Sequence, residues 1–134
     1  MAQGTKIGYL KEVEGTPLLH TLNTLFSLMR KIESQMVAAI NSNKNWKSGN
    51  TEVRTDDANI SRVFLHGNHI ATIDDDSMMI MDGGWQSNTT KSRLNALIDR
   101  FCNAVTDGVF QKDYQWYVRD NNVTKDFESG YIFA

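Results

Sequence analysis

The chain has 134 residues, a net charge of −2 and a pI of about 5.9, which predicts a single domain, 1–134. The negative net charge argues against a protein that binds along a nucleic-acid backbone, because such proteins carry a basic surface. The single cysteine excludes an internal disulfide, and no run of about 18 apolar residues predicts a membrane span. We therefore expect a protein of a reducing compartment such as the cytosol.

The first predicted element is a long helix. Thr16 and Pro17 form a typical helix start, since threonine is a capping residue and proline fits the first helical position. Apolar residues then recur at alternating spacings of four and three, the pattern of a self-associating helix. These residues are Leu18, Leu22, Leu25, Met29, Ile32, Met36 and Ala39. The pattern predicts an oligomerisation helix over 16–42, and a long surface helix of a monomer is the alternative. Residues 1–15 show no clear pattern.

A polar stretch from 41 to 57 follows the helix and has no hydrophobic period. It predicts a loop or hinge of about 17 residues, and connections of that length in a compact domain are usually functional or mobile. Trp46, Lys47 and Arg54 within it are therefore candidate functional residues. A solvated linker anchored by one tryptophan is the alternative interpretation.

The hydrophobic period changes to two after this stretch, which indicates strands. Residues 62–66 and 69–73 predict a hairpin with a turn at Gly67 and Asn68, and 78–81 predict a third strand. Further along the chain, 109–111 and 114–118 predict a closing hairpin. The sequence thus predicts an antiparallel sheet of about five strands.

A second helix is predicted from Thr89 to about Val105, with one apolar face. That face consists of Leu94, Leu97, Ile98, Phe101, Cys102 and Val105. We expect Asn88 or Thr89 to be the N-cap. Lys91 and, on the opposite flank, Arg93 then lie near the positive end of the helix dipole, which disfavours each cation by roughly 0.3 to 1 kcal/mol. An anion such as phosphate would relieve this cost.

A ligand above the start of this helix would find several kinds of contact. Trp85 offers a flat face on which a base can stack. Thr89 and Thr90 offer hydroxyl groups, Lys91 offers charge, and the amide of Asn95 suits an adenine edge because it donates and accepts together. The alternative is that the tryptophan belongs to the core, the threonines are caps and the cations are solvated.

Other candidate chemistry is weaker. His66 and His69 flank a turn close to three aspartates, 74–76, but a metal site needs three or four converging ligands, and solvent-facing strand residues are the preferred interpretation. Cys102 lies on an apolar helix face, which predicts a core residue. No nucleophile stands at a readable spacing from a base. We therefore expect no catalytic residue, no metal and no cofactor.

A further pattern predicts an aromatic and basic strand surface. Tyr114, Trp116 and Tyr117 stand near Lys112 and Arg119, a combination that proteins binding single-stranded nucleic acid use. Strand alternation directs only some of these side chains outward. Core packing is therefore an alternative for at least half of them.

Three segments between 62 and 118 carry a resemblance to a known family. They read Leu-His-Gly-Asn-x-Ile-Ala, Gly-Gly-Trp-x-x-x-Thr-Thr-Lys-Ser-Arg-Leu-Asn-Ala and Val-Phe-Gln-Lys-x-x-x-Trp-Tyr-Val. Together they resemble the first described family of phage Thoeris anti-defence proteins, which sequester cyclic ADP-ribose signals. The resemblance implies a sponge that binds a cyclic nucleotide second messenger without cleaving it, in pockets shared between two protomers. It also implies that the protein acts in the cytoplasm of the infected bacterial host. Some members of that family form hexamers, which hold cyclic oligonucleotides as well.

The resemblance also implies roles for individual residues. By position, Trp85 takes the stacking role, Asn95 the polar contact to the base, and Lys112 the basic contact to phosphate. Arg54 is the counterpart of an arginine that precedes the sheet. The family pattern leads us to expect a different aromatic residue at the position of Trp85 and an arginine at the position of Lys112. Because lysine is a point charge and arginine a planar fork, the ligand preference can differ.

The sequence as a whole predicts an α+β fold, with a long N-terminal helix and a small antiparallel sheet carrying one packed helix. Residues 60–120 would form a β-rich ligand-binding core, and the protein would be a homo-oligomer, a dimer or a trimer of dimers. The expected function is sequestration of a cyclic nucleotide. The alternatives are a nucleic-acid-binding accessory protein, a phosphodiester-cleaving enzyme, and an interaction protein that works through its long helix.

Overall fold

The computed structural model describes residues 20–134, with side chains from Lys31 onward. Two helices, α1 (His20–Asn41) and α2 (Asn88–Phe101), accompany nine strands in this part of the chain. The strands are β1 (Trp46–Ser48), β2 (Thr51–Thr55), β3 (Ser61–Leu65), β4 (Asn68–Ile73), β5 (Met78–Ile80), β6 (Gly108–Lys112), β7 (Gln115–Asp120), β8 (Val123–Asp126) and β9 (Tyr131–Phe133).

The strands form two antiparallel sheets. In the six-stranded sheet, β1 to β5 lie in chain order and β9 closes the sheet beside β5, with Phe133 opposite Met78. The other sheet is the meander β6–β7–β8. Neighbouring strands are mostly consecutive in the chain, so short turns join them.

Alternation along the strands decides which face of the six-stranded sheet is buried. In β3, Ser61, Val63 and Leu65 are buried, whereas Arg62 and Phe64 between them are partly exposed. Both helices contribute side chains to the same core. The fully buried helical side chains include Met36, Ile40, Leu94, Leu97 and Ile98. One buried cluster thus joins both helices with residues of both sheets.

The predicted fold class, α+β with a long N-terminal helix and a small antiparallel sheet with one packed helix, is wrong. The described chain carries nine strands in two antiparallel sheets, whereas the prediction had one small sheet of about five strands. The predicted helix start at Thr16 and Pro17, and residues 1–15, lie outside the described residues. Strands were missed where the sequence has no apolar alternation.

The predicted loop from 41 to 57 is one such place, because it contains β1 and β2. The inward positions of β2 are Thr51 and Val53, so a polar residue occupies one of the two buried positions. Outward, Glu52 and Arg54 form an ion pair with 2.9 Å between Oε2 and Nε. A strand with a buried threonine and a charged outer face does not show the apolar alternation on which the prediction depends.

Other predicted elements are confirmed, with small shifts. The hairpin of 62–66 and 69–73 is β3–β4, but its turn is at His66 and Gly67, with φ values of 52° and 79°. The strand at 78–81 is β5, and the closing hairpin is β6–β7, but this hairpin lies in the other sheet and does not complete the sheet of β3, β4 and β5. The C-terminal tail docks through β9, since Phe133 is fully buried.

The apolar stripe of α1 packs on the protein itself in the described part of the helix. Met36, Ala39 and Ile40 are buried there, and Val37 is partly buried against the same core. These residues therefore belong to the protomer's own interior rather than to an interface with a partner helix. The stripe positions from Leu18 to Met29 lie outside the described side chains.

Asp107 joins the loop after α2 to the turn after β7. It is 4% exposed, and its carboxylate accepts hydrogen bonds from the backbone N–H of Asn121 at 2.8 Å and of Asn103 at 3.0 Å, and from Thr106 Oγ1 at 3.1 Å. Burial by itself raises the pKa of Asp107, but these hydrogen bonds outweigh burial and lower it below its ordinary value.

Asp107→Asn is expected to lower the free energy of unfolding by about 2 kcal/mol at pH 7, because a charged acceptor is lost. A carboxyl with a lowered folded-state pKa contributes stability above its unfolded pKa of about 3.9, and this contribution is lost as pH falls through the folded-state value. The difference between variant and wild type should therefore shrink below about pH 4. Urea denaturation at several pH values measures this, with exposed Asp75→Asn as the control. A difference that does not change with pH would contradict the assignment.

Candidate functional site

The loop before α2 is organised around Ser87. Ser87 is the N-cap, with φ −111° and ψ 164°, and its Oγ accepts from the Thr90 N–H at 3.1 Å. The predicted N-cap, Asn88 or Thr89, is therefore wrong by one or two residues. Thr90 is 2% exposed, and its Oγ1 donates to the Trp85 carbonyl at 3.3 Å. The N–H groups of Asn88 and Thr89, the first two helical positions, have no partner among the described residues.

A pocket of about 310 Å³ lies between this loop and the β3–β4 turn. Its lining combines an apolar floor with polar groups on the rim. The lining residues are Leu65, His66, Asn68, Ile70, Asp82, Gly83, Trp85, Ser87 and Thr90. The indole of Trp85 is the most exposed large group of the rim, with 72% of the residue accessible. A tryptophan held in water beside a pocket is available for stacking.

The backbone of the loop holds Trp85 in this position. Gly83 has φ +70°, and a Cβ there would lie 3.1 Å from both Asn68 Cβ and Ile70 Cγ2, so only glycine fits without a shift. Asp82 accepts from the Gly84 N–H at 2.8 Å through Oδ1. The Trp85 N–H donates to the Asp82 carbonyl at 3.2 Å. The rim of the pocket is therefore bonded in place rather than loose.

Arg93 lies in the protein interior, away from this pocket. It is 3% exposed, and its Nη1 donates to Glu33 Oε2 at 2.8 Å. Its Nε donates to Thr51 Oγ1 at 3.0 Å and its Nη2 to Asn50 Oδ1 at 3.4 Å. Ser92 Oγ donates to the same Glu33 oxygen at 2.5 Å. The anion that balances this cation is thus a carboxylate of α1, and the group ties α1, α2 and β2 together.

Asn95 completes the edge of β6. Its Nδ2 donates to the Val109 carbonyl and its Oδ1 accepts from the Val109 N–H, both at 2.8 Å. The amide therefore bonds to Val109 as a neighbouring strand would. The structure places Asn95 at the seam between α2 and the β6–β7–β8 sheet.

Asn95→Ala is expected to lower the free energy of unfolding by about 1 to 3 kcal/mol, because a buried N–H and a C=O of Val109 lose their partners. Chemical denaturation measures the loss. Asn88→Ala is the control, since Asn88 is exposed at the first position of α2. Equal stability of the two variants would show that the amide of Asn95 does not stabilise the edge of β6.

Lys91 and Lys112 lie on the side of the β6–β7–β8 sheet. Lys91 Nζ is 3.5 Å from Gln111 Oε1 and 6.0 Å from the centroid of the Trp116 ring. Lys112 is exposed at the end of β6. Neither side chain lines the pocket beside Trp85.

Arg54 lies on the outer face of the six-stranded sheet. Its guanidinium carbon is 5.0 Å above the Phe64 ring, and the ion pair with Glu52 leaves its side chain 64% exposed. The hydrogen bond and charge of Glu52 raise the pKa of Arg54, and the hydrogen bond from Arg54 lowers the pKa of Glu52.

The structure thus brings together two of the eight predicted ligand-binding residues. Trp85 and Thr90 line one pocket, and Thr89 lies in the adjoining first turn of α2. The other five, Lys91, Arg93, Asn95, Lys112 and Arg54, lie elsewhere in the protomer. The pocket also contains residues that were not proposed as ligands, notably His66, Asn68 and Asp82. His66 and Asn68 lie in the Leu-His-Gly-Asn segment, and this motif is the sequence signal that could have identified them.

The remaining candidates have structural partners. His69 Nε2 lies 2.7 Å from Thr72 Oγ1, and Asp74 Oδ1 accepts from the Asp76 and Ser77 N–H groups. Between residues 20 and 134, no group of three or more His, Cys, Asp or Glu side chains is placed to hold a metal ion. Burial raises the pKa of Cys102 to about 12, which makes its thiol unreactive.

Across residues 20–134, no helix is both long enough and apolar enough to cross a membrane.

Comparisons with known proteins identify the family. No curated protein and no solved structure matches the chain. Residues 29–134, most of the chain, match the family model described as Kyanoviridae Gp96 protein. The chain is a phage protein and belongs to the Kyanoviridae Gp96 protein family.

Proposed function

We propose that this phage protein binds a phosphorylated cyclic nucleotide signal of its host, a cyclic ADP-ribose isomer or a related cyclic nucleotide, and sequesters it without cleaving it. The observation that carries the proposal is the position of Trp85, an exposed indole fixed at the rim of a pocket. Burying this ring against a base recovers stacking energy of about 1 to 3 kcal/mol. The site would act in the cytoplasm of the infected cell.

The start of α2 supports the phosphate part of the proposal. The Asn88 and Thr89 N–H groups have no partner among the described residues, and they lie at the positive end of the helix dipole. Such a helix start binds phosphate through its N–H groups. In the adjoining pocket, His66 can add a hydrogen-bond donor, and Leu65 and Ile70 supply an apolar floor.

The size of the pocket supports a site that is completed by a second protomer. A volume of about 310 Å³ is at the lower end of the usual range for ligand sites, about 300 to 1,000 Å³. Removal of a scarce signal needs a dissociation constant near nanomolar, roughly −12 kcal/mol. No Lys or Arg is among the lining residues, whereas Lys112 and Arg54 are exposed elsewhere. In a dimer or trimer of dimers, these cations of one protomer would reach the phosphates held by its neighbour.

The chemistry of the pocket supports binding without cleavage. Its titratable groups are His66 and Asp82. The carboxylate of Asp82 accepts from the Gly84 N–H at 2.8 Å and from Gln86 Nε2 at 3.2 Å. A carboxylate used to hold the loop is poorly placed as a general base.

The proposal is tested by recovering the ligand. The purified protein is incubated with cyclic ADP-ribose isomers and cyclic oligonucleotides, washed, and heated, and the released material is identified by mass spectrometry. We expect one class of cyclic nucleotide to be retained and released intact. Release of a cleaved product would instead indicate an enzyme, and retention of no nucleotide at micromolar protein would refute the proposal.

A further inference from the structure

The outer face of the β6–β7–β8 sheet lies outside the core. Trp116 and Val118 of β7 are buried, whereas Tyr117 and Arg119, which alternate with them, are half-buried. Successive side chains of a strand point to opposite faces, so the buried pair marks the inner face and the other pair marks the outer face. The register of the three strands assigns the remaining side chains. The outer face includes Phe110, Lys112, Tyr117, Arg119, Thr124 and Asp126.

On this face an aromatic pair lies between two cations. Phe110 is opposite Tyr117, and their rings are stacked with 5.5 Å between the centroids and 25° between the planes. Arg119 follows Tyr117 by two residues on β7, and Lys112 follows Phe110 by two residues on β6. Because the two strands are antiparallel, these cations lie on opposite sides of the aromatic pair. At about 3.4 Å per residue, the Cα of each cation is about 7 Å along its strand from the aromatic pair.

Arg119 has hydrogen-bond donors that the protein does not use. Its Nε is buried without a hydrogen-bond partner, and its side chain makes no hydrogen bond or ion pair to another described residue. The residue opposite it in β6 is Gly108, which has no side chain to cover it. Two carboxylates line the hollow beside Arg119, but Asp107 accepts three hydrogen bonds and Asp99 has an interaction partner of its own. Buried polar groups in proteins are normally hydrogen-bonded, so a ligand that accepts from Arg119 would satisfy it.

The β6–β7 part of the outer face is positively charged, although the chain as a whole is negative. Its strand side chains include two cations, Lys112 and Arg119, and no carboxylate. The carboxylate of the outer face belongs to Asp126, which lies opposite Tyr117 on the edge strand β8. An anionic ligand would therefore lie along β6 and β7. Two cations can hold two phosphates, and this does not need the basic surface of a protein that binds a long stretch of backbone.

The aromatic pair indicates what the anion carries besides its charge. Phe110 is exposed, and Tyr117 supports one side of its ring. The carboxylates of an acidic peptide could pair with the two cations but do not stack on an aromatic ring, whereas every nucleobase has a flat face that does. Bases in a duplex are already stacked on their neighbours, so the pair suits unpaired bases.

We propose that the outer face of β6 and β7 binds a short stretch of single-stranded nucleic acid, DNA or RNA. A base stacks on Phe110, and phosphates on the two sides of this base contact Arg119 and Lys112. Because no base edge is contacted, binding does not depend on the base sequence. The site goes beyond the proposed function, since the pocket beside Trp85 has no part in it. Lys112 is the one residue that both proposals use, so the test is made on Phe110 and Arg119.

Fluorescence anisotropy tests this site with labelled oligothymidylate and oligouridylate of about eight nucleotides, a length typical of single-strand sites. We expect both to bind, and the logarithm of the affinity to fall with the logarithm of the salt concentration with a slope of about −1.4, since two phosphates are contacted. Phe110→Ala should lose at least about tenfold in affinity. Arg119→Met should bind more weakly and reduce the slope to about −0.7. Lys125→Met is the matched control and should bind as the wild type, because Lys125 is an exposed cation opposite Val118, on the inner side of the same sheet.

Several results would overturn the proposal. These are no binding at millimolar protein, equal binding of a duplex of the same length, wild-type affinity in Phe110→Ala, or an unchanged salt slope in Arg119→Met. Polyglutamate that binds as tightly as the oligonucleotides would instead indicate a site for acidic peptides. If Phe110→Ala does not fold, as judged by its melting temperature, Phe110→Leu replaces it, and we expect a similar loss because leucine has no flat face. Trp85→Ala should bind the oligonucleotides as the wild type does, which separates this test from that of the proposed function.

Discussion

Replacing Arg93 by methionine is expected to lower the free energy of unfolding by about 3 to 5 kcal/mol. The substitution leaves the carboxylate of Glu33 without its cation in a largely buried place, where the two side chains are 4% and 14% exposed. It also removes the donors to Thr51 and Asn50, so α1, α2 and β2 lose their common contact. Urea denaturation followed by circular dichroism measures the change.

A double-mutant cycle with Glu33→Gln assigns this loss to the pair. We expect the two substitutions together to destabilise the protein by clearly less than the sum of the single effects, because each alone leaves a charge uncompensated. Arg62→Met is the control, since its ion pair with Asp56 has both side chains 41% exposed and is worth at most about 1 kcal/mol. A loss below about 1 kcal/mol for Arg93→Met would show that the buried pair does not hold the helices to the sheet.

Phe133→Ala is expected to destabilise the protein by about 3 to 5 kcal/mol, although it is the second residue from the end of the chain. Phe133 is fully buried in β9, opposite Met78, and its ring is 5.2 Å from that of Tyr131 in an edge-to-face arrangement. The change leaves a cavity at the edge of the six-stranded sheet. Thermal and urea denaturation measure the loss.

The neighbouring residue provides a matched control for the tail. Ile132 is 51% exposed on the other face of β9, so Ile132→Ala should change the free energy of unfolding by about 1 kcal/mol or less. Comparing the two variants separates the effect of burying the Phe133 side chain from any effect common to substitutions in β9. Equal effects of the two substitutions would show that β9 does not dock through Phe133.

The elements that could be predicted were those with a strong hydrophobic period. Burial alternates cleanly in β3, and the apolar face of α2 recurs at helical spacing, so both elements could be located within a few residues. β2 was missed because its inward positions are Thr51 and Val53, and a threonine reads as polar whether or not it is buried. The predicted fold class is wrong for this reason, since a polar stretch that forms strands predicts a loop.

The candidate site was predictable only where a residue's role depends on its sequence neighbours. Trp85 lies next to two glycines and a helix start, and the structure does place it at a pocket. Arg93 lies in the same segment, but its partner Glu33 is 60 residues away in the chain. Asn95 likewise bonds to Val109 across a separation of 14 residues. Pairings of this kind are set by the tertiary fold, so spacing along a helix could not reveal them.

Trp85→Ala provides the most direct test of the proposed ligand pocket, with affinity for a cyclic ADP-ribose isomer measured by calorimetry. The matched control is Tyr114→Ala, which removes another exposed aromatic side chain, 97% accessible, from the β6–β7 turn. We expect Trp85→Ala to weaken binding at least about tenfold, while Tyr114→Ala binds as the wild type and both variants keep the wild-type melting temperature. Unchanged affinity in Trp85→Ala, or equal losses in the two variants, would contradict a ligand pocket beside Trp85.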